Sequence, residues 1–211
     1  YIPSVRNYLG RQLALFNLNT SETVSQDREY AKLPLNTIDS LENGDIILRK
    51  GFGQVSTIIE KQFNEKYPVT HCGVLLKQDN MWHVINCESN DVVEGMQLTS
   101  LRQFILDSEK NSLIISRLKA TEEQKAVFLA SLNYYLNKKA QFDYKFDDRD
   151  TTELYCSEVI DLSLQKALKK QILTERVTSG ILSGPGFRNF YNTNNFTIVL
   201  NQFTENNNFI N

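Results

Sequence analysis

The stretch of sequence that decides the fold is VTHCGVLLKQDNMWHVINCE, residues 69–88. Its two apolar runs are separated by the dipeptide Asp79-Asn80, which suits a tight hairpin turn. The pattern therefore predicts two antiparallel strands, residues 69–76 and 82–87. If the turn centres between Asp79 and Asn80, facing residues have numbers that sum to 159, as 79 and 80 do.

This register divides the hairpin's side chains between two faces, because successive side chains of a strand point to opposite sides. His71 is expected directly opposite Glu88 and diagonal to Asn86, with all three on one face. His83 is expected on the other face. A bulge or a slip by one residue would exchange the faces, so the assignment depends on the turn.

Further strands and helices are predicted on both sides of the hairpin. Residues 45–49 form an apolar strand, and Thr121 with Gln124 forms a capping box at the start of the longest helix, which reaches about Lys138. Clustered strands with flanking helices indicate the α+β class, with a mainly antiparallel sheet. The remaining predicted elements are a helix over 54–63, strands over 92–98, 113–118 and 196–203, and a helix that begins at 150–152 and ends near 170.

The chain has 211 residues, which is enough for one sizeable hydrophobic core. Residues 1–40 are predicted to be an N-terminal extension with one amphipathic helix near 5–16. Residues 41–203 are predicted to form the main domain. Residues 204–211 are mostly polar and are predicted to be a frayed tail.

The composition argues against several kinds of partner and site. The formal net charge is -2, which gives no electrostatic reason to expect nucleic acid as a partner. No run of about 18 apolar residues occurs, so no transmembrane helix is predicted. With only two histidines and no CxxC or HxxxH spacing, neither a metal site nor a cofactor is expected.

The first residue is Tyr1 instead of Met, which indicates that a segment has been removed. That segment could be a signal peptide or an expression tag. If it is a signal peptide, we expect the protein in the cell envelope or periplasm.

The segment DTTELYCSEVI, residues 150–160, contains the candidate nucleophile. Asp150 and the two threonines after it are good N-caps, and Asp150 with Glu153 fits a capping box. Cys156 is therefore expected within about a turn and a half of the helix start. There the helix dipole favours negative charge and lowers the pKa of a thiol. The alternative is that Cys156 is a small buried core residue, as free cysteines usually are.

The chain has three cysteines, so at least one thiol is free. In the predicted register, Cys72 lies directly opposite Cys87, on the face away from His71. We expect two buried apolar residues there. The alternative, in an oxidising compartment, is a cross-strand disulfide, whose geometry is demanding. Either outcome leaves Cys156 as the lone reactive thiol.

His71 is the candidate general base for Cys156. Asn86 or Glu88 would accept a hydrogen bond from one imidazole nitrogen and leave the other nitrogen free to take a proton from the thiol. The ordinary alternatives are a structural histidine within an apolar strand and two polar residues at a strand end.

Four short motifs, taken together, resemble a known family. They are Gly44-Asp45-Ile46-Ile47, Thr70-His71-Cys72-Gly73-Val74, Trp82-His83-Val84-Ile85-Asn86-Cys87 and Tyr155-Cys156-Ser157-Glu158-Val159. In this order, with the histidine before the cysteine, the chain resembles the circularly permuted NlpC-type, papain-like cysteine hydrolases of the YiiX/YebB-like branch. The resemblance covers about residues 40–168.

The resemblance implies a papain-like fold in which a helix carries Cys156 and packs on a small sheet that carries His71. The family's third polar residue is usually a glutamate, and Asn86 stands at that position here. Asn86 is therefore our first choice as the orienting residue, and Glu88 is the second. Relatives of the lecithin retinol acyltransferase type use a histidine as the third residue, which makes His83 a further candidate that the register disfavours.

The resemblance also implies hydrolysis of an amide bond through an acyl-enzyme on Cys156, in a cell-wall peptide or an acylated amine. The partner would be a peptide, an acyl-amine or a lipid-like small substrate. Tyr155 and Glu88 are candidate substrate-binding residues, with Tyr155 and the Cys156 amide as donors to the oxyanion. Residues 142–147 would line the cleft. The alternatives are packing for Tyr155 and a solvated loop for 142–147. The alternative functions are acyl transfer to an amine or alcohol and a binding module without catalysis.

Overall fold

The structure of the protein is a computed structural model that describes residues 31–52, 56–57, 60, 66–89, 94–143, 152–178, 195–198 and 200–210. The helices are α1 (Leu35–Asp39), α2 (Leu101–Leu106), α3 (Glu122–Lys138), α4 (Cys156–Leu168) and α5 (Gln202–Glu205). The strands are β1 (Ile46–Arg49), β2 (His71–Gln78), β3 (Met81–Ser89), β4 (Glu94–Ser100), β5 (Ile114–Leu118), β6 (Gln141–Phe142), β7 (Glu153–Leu154), β8 (Glu175–Thr178), β9 (Asn195–Ile198) and β10 (Phe209–Ile210).

Six of these strands form one antiparallel sheet in the order β10-β5-β1-β2-β3-β4. Two smaller pairs stand apart from it: β6 with β7, which is parallel, and β8 with β9, which is antiparallel. All four residues of the central strand β1 are buried. The prediction of an α+β protein with a mainly antiparallel sheet is confirmed.

The β2–β3 hairpin has the register that the sequence predicts. Asp79 and Asn80 both have positive φ, of 50° and 61°, as the two central residues of a tight hairpin turn of the primed type require. Gly73 faces Asn86 and Gln78 faces Met81, so each pair sums to 159. The faces of all the hairpin side chains follow from this pairing.

The two faces of the sheet carry separate apolar clusters. On one face, Cys72 and Ile85 pack with Ile160 of α4 and with Phe128 of α3. On the other face, the side chains of the hairpin pack with α2, and this cluster comprises Leu41, Ile47, Leu75, Val84, Leu101 and Phe104. Full burial of one such side chain contributes about 1.5–3 kcal/mol, so both helical layers are held firmly to the sheet. The helix that carries Cys156 lies on the face that bears Cys72.

Gly73 allows the two strands of the hairpin to approach closely. A Cβ atom at this position would lie 2.3 Å from Val84 Cγ1 and 2.9 Å from the carbonyl oxygen of Ile85. Both atoms belong to the packed interior of the sheet, so neither has room to withdraw. A side chain at position 73 would therefore force β2 and β3 apart beside His71.

One of the two long helices begins where the sequence predicts and the other does not. At α3, Gln124 N donates to Thr121 Oγ1 at 3.2 Å and Thr121 N donates to Gln124 Oε1 at 3.0 Å, which confirms the capping box. The helix predicted from residues 150–152 begins only at Cys156, so that prediction is wrong.

The late start of α4 has a local cause. Glu153 belongs to the strand β7, which pairs with β6, and is therefore not a residue of a first helical turn. The N-cap of α4 is Tyr155, and its backbone N–H donates to Glu158 Oε2 at 3.1 Å. Glu158 is the third residue of α4, so this contact caps the helix at its true start, Cys156.

The prediction of a frayed C-terminal tail is also wrong. Residues 202–205 form α5, and β10 pairs with β5 through Phe209 with Leu118 and Ile210 with Arg117. Phe209 is buried in the core. The strand predicted over 196–203 is limited to β9, because α5 begins at Gln202.

Some predicted elements lie wholly or partly outside the described residues. The helix near residues 5–16 is one of them. Of the helix predicted over 54–63, the described residues 56, 57 and 60 are helical. Within the part of the chain that the structure describes, no helix has the length and apolar character needed to cross a membrane.

Candidate active site

Cys156 is the first residue of α4, so its sulfur lies at the positive end of a helix of 13 residues. The residue is buried, with 8% of its surface exposed. The pKa of the Cys156 thiol is held well below its usual value, chiefly by a hydrogen bond with the Cys72 side chain. Burial raises this pKa, whereas a hydrogen bond with His71 and the His71 charge lower it. Cys156 is therefore placed to exist as a thiolate.

His71 is the first residue of β2, and its ring has a defined orientation. Its Nε2 atom lies 3.3 Å from Asn86 Oδ1 and 3.7 Å from Glu88 Oε2. Its ring also packs on Phe104, with 5.7 Å between the ring centroids. Because both polar neighbours of Nε2 are acceptors, we assign the ring hydrogen to Nε2. This tautomer leaves Nδ1 to interact with the sulfur of Cys156.

Asn86 is held so that its oxygen points to His71. Its Nδ2 donates to the carbonyl oxygen of Val84 at 3.2 Å and to Thr99 Oγ1 at 3.0 Å. These two acceptors take the amide hydrogens, so the orientation of the amide is determined. Oδ1 faces the imidazole and also accepts from Gln97 Nε2 at 3.5 Å. Only 1% of Asn86 is exposed, which shields this hydrogen bond from water.

Glu88 forms an ion pair beside the same imidazole nitrogen. Arg49 Nη2 donates to Glu88 Oε1 at 2.6 Å, and Gln97 Nε2 donates to Glu88 Oε2 at 3.4 Å. Arg49 is buried, donates to the carbonyl oxygen of Asp107, and lies over the Phe104 ring at 4.7 Å from its centroid. The charge next to His71 is therefore that of a partly buried ion pair and not of an isolated carboxylate.

The structure brings Cys156, His71, Asn86 and Glu88 together and leaves His83 out. His83 faces Leu76 in the hairpin, and its Nδ1 lies 3.2 Å from the carbonyl oxygen of Met81, near the turn. The predicted separation of the two histidines is confirmed. The catalytic roles of the assembled residues stay predictions.

The side chain of Tyr155 does not line an open cleft. Only 1% of Tyr155 is exposed, which agrees with the packing alternative, and its role towards substrate stays a prediction. Glu88 is engaged by Arg49 and faces His71, so its geometry suits a role beside the base more than direct substrate binding. Of residues 142–147, only 142 and 143 are described, and Asp143 is buried with its N–H donating to the Leu154 carbonyl oxygen at 2.9 Å.

All three cysteines lie in the described part of the chain, and none forms a disulfide. Cys72 and Cys87 are fully buried, as expected, and Cys87 Sγ donates to the carbonyl oxygen of Leu154 at 3.0 Å. Cys72 faces away from His71, as the register predicts, but it still lies in the same core cluster as Cys156. α4 packs on the Cys72 face, and Cys156 reaches both Cys72 and His71 at the start of β2.

Several residues of the site cannot be found from the hairpin alone. Arg49 is the direct partner of His71 in the β1–β2 pairing, and Gln97 is the partner of Asn86 in the β3–β4 pairing. The β1–β2 pairing spans a connection of residues 50–70 and the β3–β4 pairing a connection of residues 90–93, and neither has a turn signal as clear as Asp79-Asn80. The part of the chain that the structure describes contains no group of three or more His, Cys, Asp and Glu side chains placed to hold a metal ion.

The comparisons with known proteins agree with this geometry. The model of a family described as permuted papain-like amidase enzymes, YaeF/YiiX, C92 family, matches residues 40–206. A crystal structure described as the metalloprotein YiiX from Escherichia coli O157:H7 matches with a TM-score of 0.66 and 20% identity, over 80% of this chain and 94% of that chain. This likeness shows a shared fold. No curated protein sequence matches significantly. Because the family model spans most of the chain, including Cys156, His71 and Asn86, the protein belongs to the permuted papain-like amidases of the YaeF/YiiX, C92 family.

Proposed function

We propose that the protein hydrolyses an amide bond through an acyl-enzyme on Cys156. Membership of an amidase family gives the general reaction class. The observation that carries the proposal is the position of Cys156 at the first residue of a helix, beside a His71 ring whose Nε2 lies 3.3 Å from Asn86 Oδ1. The neighbouring His71 helps to lower the pKa of the Cys156 thiol. A thiolate stabilised in this way, next to an imidazole of fixed orientation, has the arrangement that nucleophilic acyl transfer needs.

The reaction would proceed in two halves. In the first, the Cys156 sulfur attacks the amide carbonyl carbon, and the proton that left the thiol passes from His71 to the departing amine as the carbon–nitrogen bond breaks. In the second, His71 takes a proton from water, the resulting hydroxide attacks the thioester, and the sulfur leaves with the proton returned to it. Asn86 would keep the ring in the Nε2–H tautomer throughout, because its own amide is held by two acceptors.

The substrate that we propose is a cell-wall peptide or an acylated amine, with the cleaved carbonyl presented to Cys156. The site's own features fit a neutral amide, since the charged pair of Arg49 and Glu88 is internally balanced and both residues are largely buried. The acyl part would form the thioester and the amine part would leave.

Mass spectrometry of a trapped acyl-enzyme tests the proposal. The protein is mixed with a panel of short cell-wall peptides and acyl-amines and quenched in acid, and its intact mass is measured. We expect an added acyl mass that peptide mapping locates on Cys156, and no adduct on the Cys156→Ala variant. Cys87→Ala is the matched control, because it removes another buried thiol and should still acylate. An adduct that persists in Cys156→Ala would contradict the mechanism.

The same experiment separates hydrolysis from acyl transfer. If an added amine or alcohol acceptor accumulates the acyl product in place of the free acid, the protein is a transferase that uses the same thioester. If no substrate of either class acylates Cys156, the hydrolase proposal fails for these substrates and a binding role becomes the better account.

A further inference from the structure

A charged pair stands next to the base, on the face of the sheet that bears His71. Arg49 is the direct partner of His71 in the β1–β2 pairing, and Arg49 Nη2 donates to Glu88 Oε1 at 2.6 Å. The second oxygen of that carboxylate, Oε2, lies 3.7 Å from His71 Nε2. The two charges and the imidazole therefore form one arrangement, although the proton steps proposed above use only the imidazole.

The cation of this pair is held in a fixed position. The Arg49 side chain is 4% exposed, donates through Nη1 to the Asp107 carbonyl oxygen, and has its guanidinium carbon 4.7 Å from the centroid of the Phe104 ring. The same ring packs against the His71 imidazole, with 5.7 Å between the centroids. Phe104 is fully buried, so one aromatic side chain sets the positions of both the cation and the base.

The carboxylate of the pair has little freedom to turn away from the base. Each of its oxygens has its own donor, because Arg49 Nη2 donates to Oε1 and Gln97 Nε2 donates to Oε2 at 3.4 Å. Gln97 Nε2 also lies 3.5 Å from Asn86 Oδ1, the other acceptor beside His71 Nε2. The orientation of Glu88 towards the imidazole is therefore set by its two donors.

Stability alone does not explain an ion pair in this place. The desolvation of two buried charges offsets much of their attraction, so apolar residues of similar size are often equally stabilising. The effect of the pair on the base is electrostatic. A carboxylate beside an imidazole favours its protonated form, and a cation on the other oxygen of the same carboxylate opposes this effect. The ring is also faced by Cys156, from α4, and by the Asp107 carboxyl, which follows α2 and whose pKa is raised by burial.

We propose that Arg49 is a positioning residue of the amidase: it holds Glu88 against His71 and balances the charge of the carboxylate, so that the imidazole can both accept and release a proton. The inference rests on the proposed role of Cys156 as nucleophile. His71 takes the thiol proton on Nδ1 and must then give it to the departing amine, while Nε2 keeps its own hydrogen. Without Arg49, the unbalanced carboxylate retains the proton on the imidazolium. Without Glu88, the guanidinium charge disfavours protonation of the ring.

Titration of the histidine rings by nuclear magnetic resonance tests this role without any substrate. The chain has two histidines, so isotope-labelled histidine gives ring signals from His71 and His83 alone. His83 lies near the hairpin turn and serves as the internal reference in every sample. The pH midpoint of the His71 titration is measured in the wild type and in each variant, and the backbone amide spectrum shows whether the variant is folded.

Substitutions of the two charged residues separate their effects. Arg49→Met removes the cation and keeps an unbranched side chain, and it should move the His71 midpoint to higher pH by about 1 unit, as expected for the loss of one neighbouring charge. Glu88→Gln should move the midpoint to lower pH. The double variant should lie between the two single variants, because both charges are gone. Arg49→Lys keeps the cation and should restore the midpoint, which a purely steric role of Arg49 would not predict.

If Arg49→Met alone does not fold, the effect of the cation is measured as the difference between Glu88→Gln and the double variant. Arg117→Met is the matched control, because it removes another paired arginine of the same sheet, whose partner is Asp45. It should leave the His71 midpoint unchanged. The proposal is overturned if loss of Arg49 does not raise the His71 midpoint in either background, or if Arg117→Met raises it equally.

Failure of the proposed function has a different signature. The His71 midpoint would then depend on Arg49, yet no substrate would acylate Cys156. With a substrate that does acylate Cys156, release of the amine at pH 7 should fall by up to about 10-fold in Arg49→Met, because a shift of 1 unit is a tenfold change in proton affinity. The rate should recover in Arg49→Lys, and an unchanged rate in Arg49→Met would contradict the role in proton release.

Discussion

Replacement of Asn86 by alanine tests whether an amide oxygen orients the base. Asn86 Oδ1 accepts from His71 Nε2 over 3.3 Å, and a typical hydrogen bond of this kind is worth about 0.5–1.5 kcal/mol. That range corresponds to roughly 2- to 10-fold in rate. Complete loss of a general base would lower the rate by about 100-fold or more. Asn86→Ala should have a smaller effect, because Glu88 Oε2 remains 3.7 Å from His71 Nε2 and can keep the ring partly oriented. We therefore expect kcat to fall about 10-fold in Asn86→Ala.

The Michaelis constant is the internal check on this interpretation. Asn86 is 1% exposed and cannot touch substrate, so KM should change little while kcat falls. Steady-state kinetics on the substrate identified by acyl-enzyme trapping measure both. The variant also loses donors to the Val84 carbonyl and Thr99, so a fall in stability of about 1–3 kcal/mol is expected and its folding must be verified by circular dichroism.

His83→Ala is the matched control for Asn86→Ala. His83 is the other histidine of the chain, is partly exposed, and lies near the hairpin turn and away from Cys156. We expect kcat and KM to remain within about twofold of the wild type, as for surface substitutions in general. Loss of activity in His83→Ala together with full activity in Asn86→Ala would refute the assignment of the orienting residue.

Three further predictions address the nucleophile, the hairpin and the thiols. Cys156→Ala should abolish turnover and retain the fold, which activity assays and circular dichroism measure together. Gly73→Ala should lower stability by about 1–3 kcal/mol, seen as a lower Tm, because its Cβ would meet Val84 Cγ1 at 2.3 Å; an unchanged Tm would contradict the close approach of the strands. The intact mass under non-reducing conditions should not change on reduction, because Cys72 and Cys87 are free thiols; a gain of two hydrogens would reveal a bridge.

The hairpin and its register can be predicted from the sequence because the information is local. Asp79 and Asn80 accept positive φ at two successive positions, and this determines which residues face each other across the whole hairpin. The shared face of His71, Asn86 and Glu88 follows from the alternation of side chains. No other contact is needed to derive it.

The start of α4 cannot be predicted in the same way. Several adjacent residues near position 150 are good N-caps, and local preference does not distinguish them from the true start at Cys156. The choice is made by the pairing of β7 with β6 and by the contact of Glu158 with the Tyr155 N–H. The first of these pairs Gln141 with Glu153, which lies outside the few residues that a capping pattern reads, so the preferences around position 150 do not show it.

The contribution of Cys72 to the site depends on which face of the sheet the nucleophile helix covers. The hairpin register correctly separates Cys72 from His71, but it does not say on which side α4 lies. Cys156 packs on the Cys72 face and reaches His71 at the start of the strand. Both faces of the sheet carry an apolar cluster, so the hydrophobic pattern alone does not predict on which face α4 packs.

The last described strand has a consequence for synthesis of the protein. β10 pairs with β5, and Ser116 of β5 donates to the carbonyl oxygen of Phe203, next to β10. Until residues 200–210 leave the ribosome, the outer edge of β5 has unpaired backbone groups that another nascent chain could join. Because this pairing closes a long loop, it forms slowly as well as late. Truncation before residue 200 should therefore give a protein that aggregates during expression, even though every residue of the proposed catalytic centre is present.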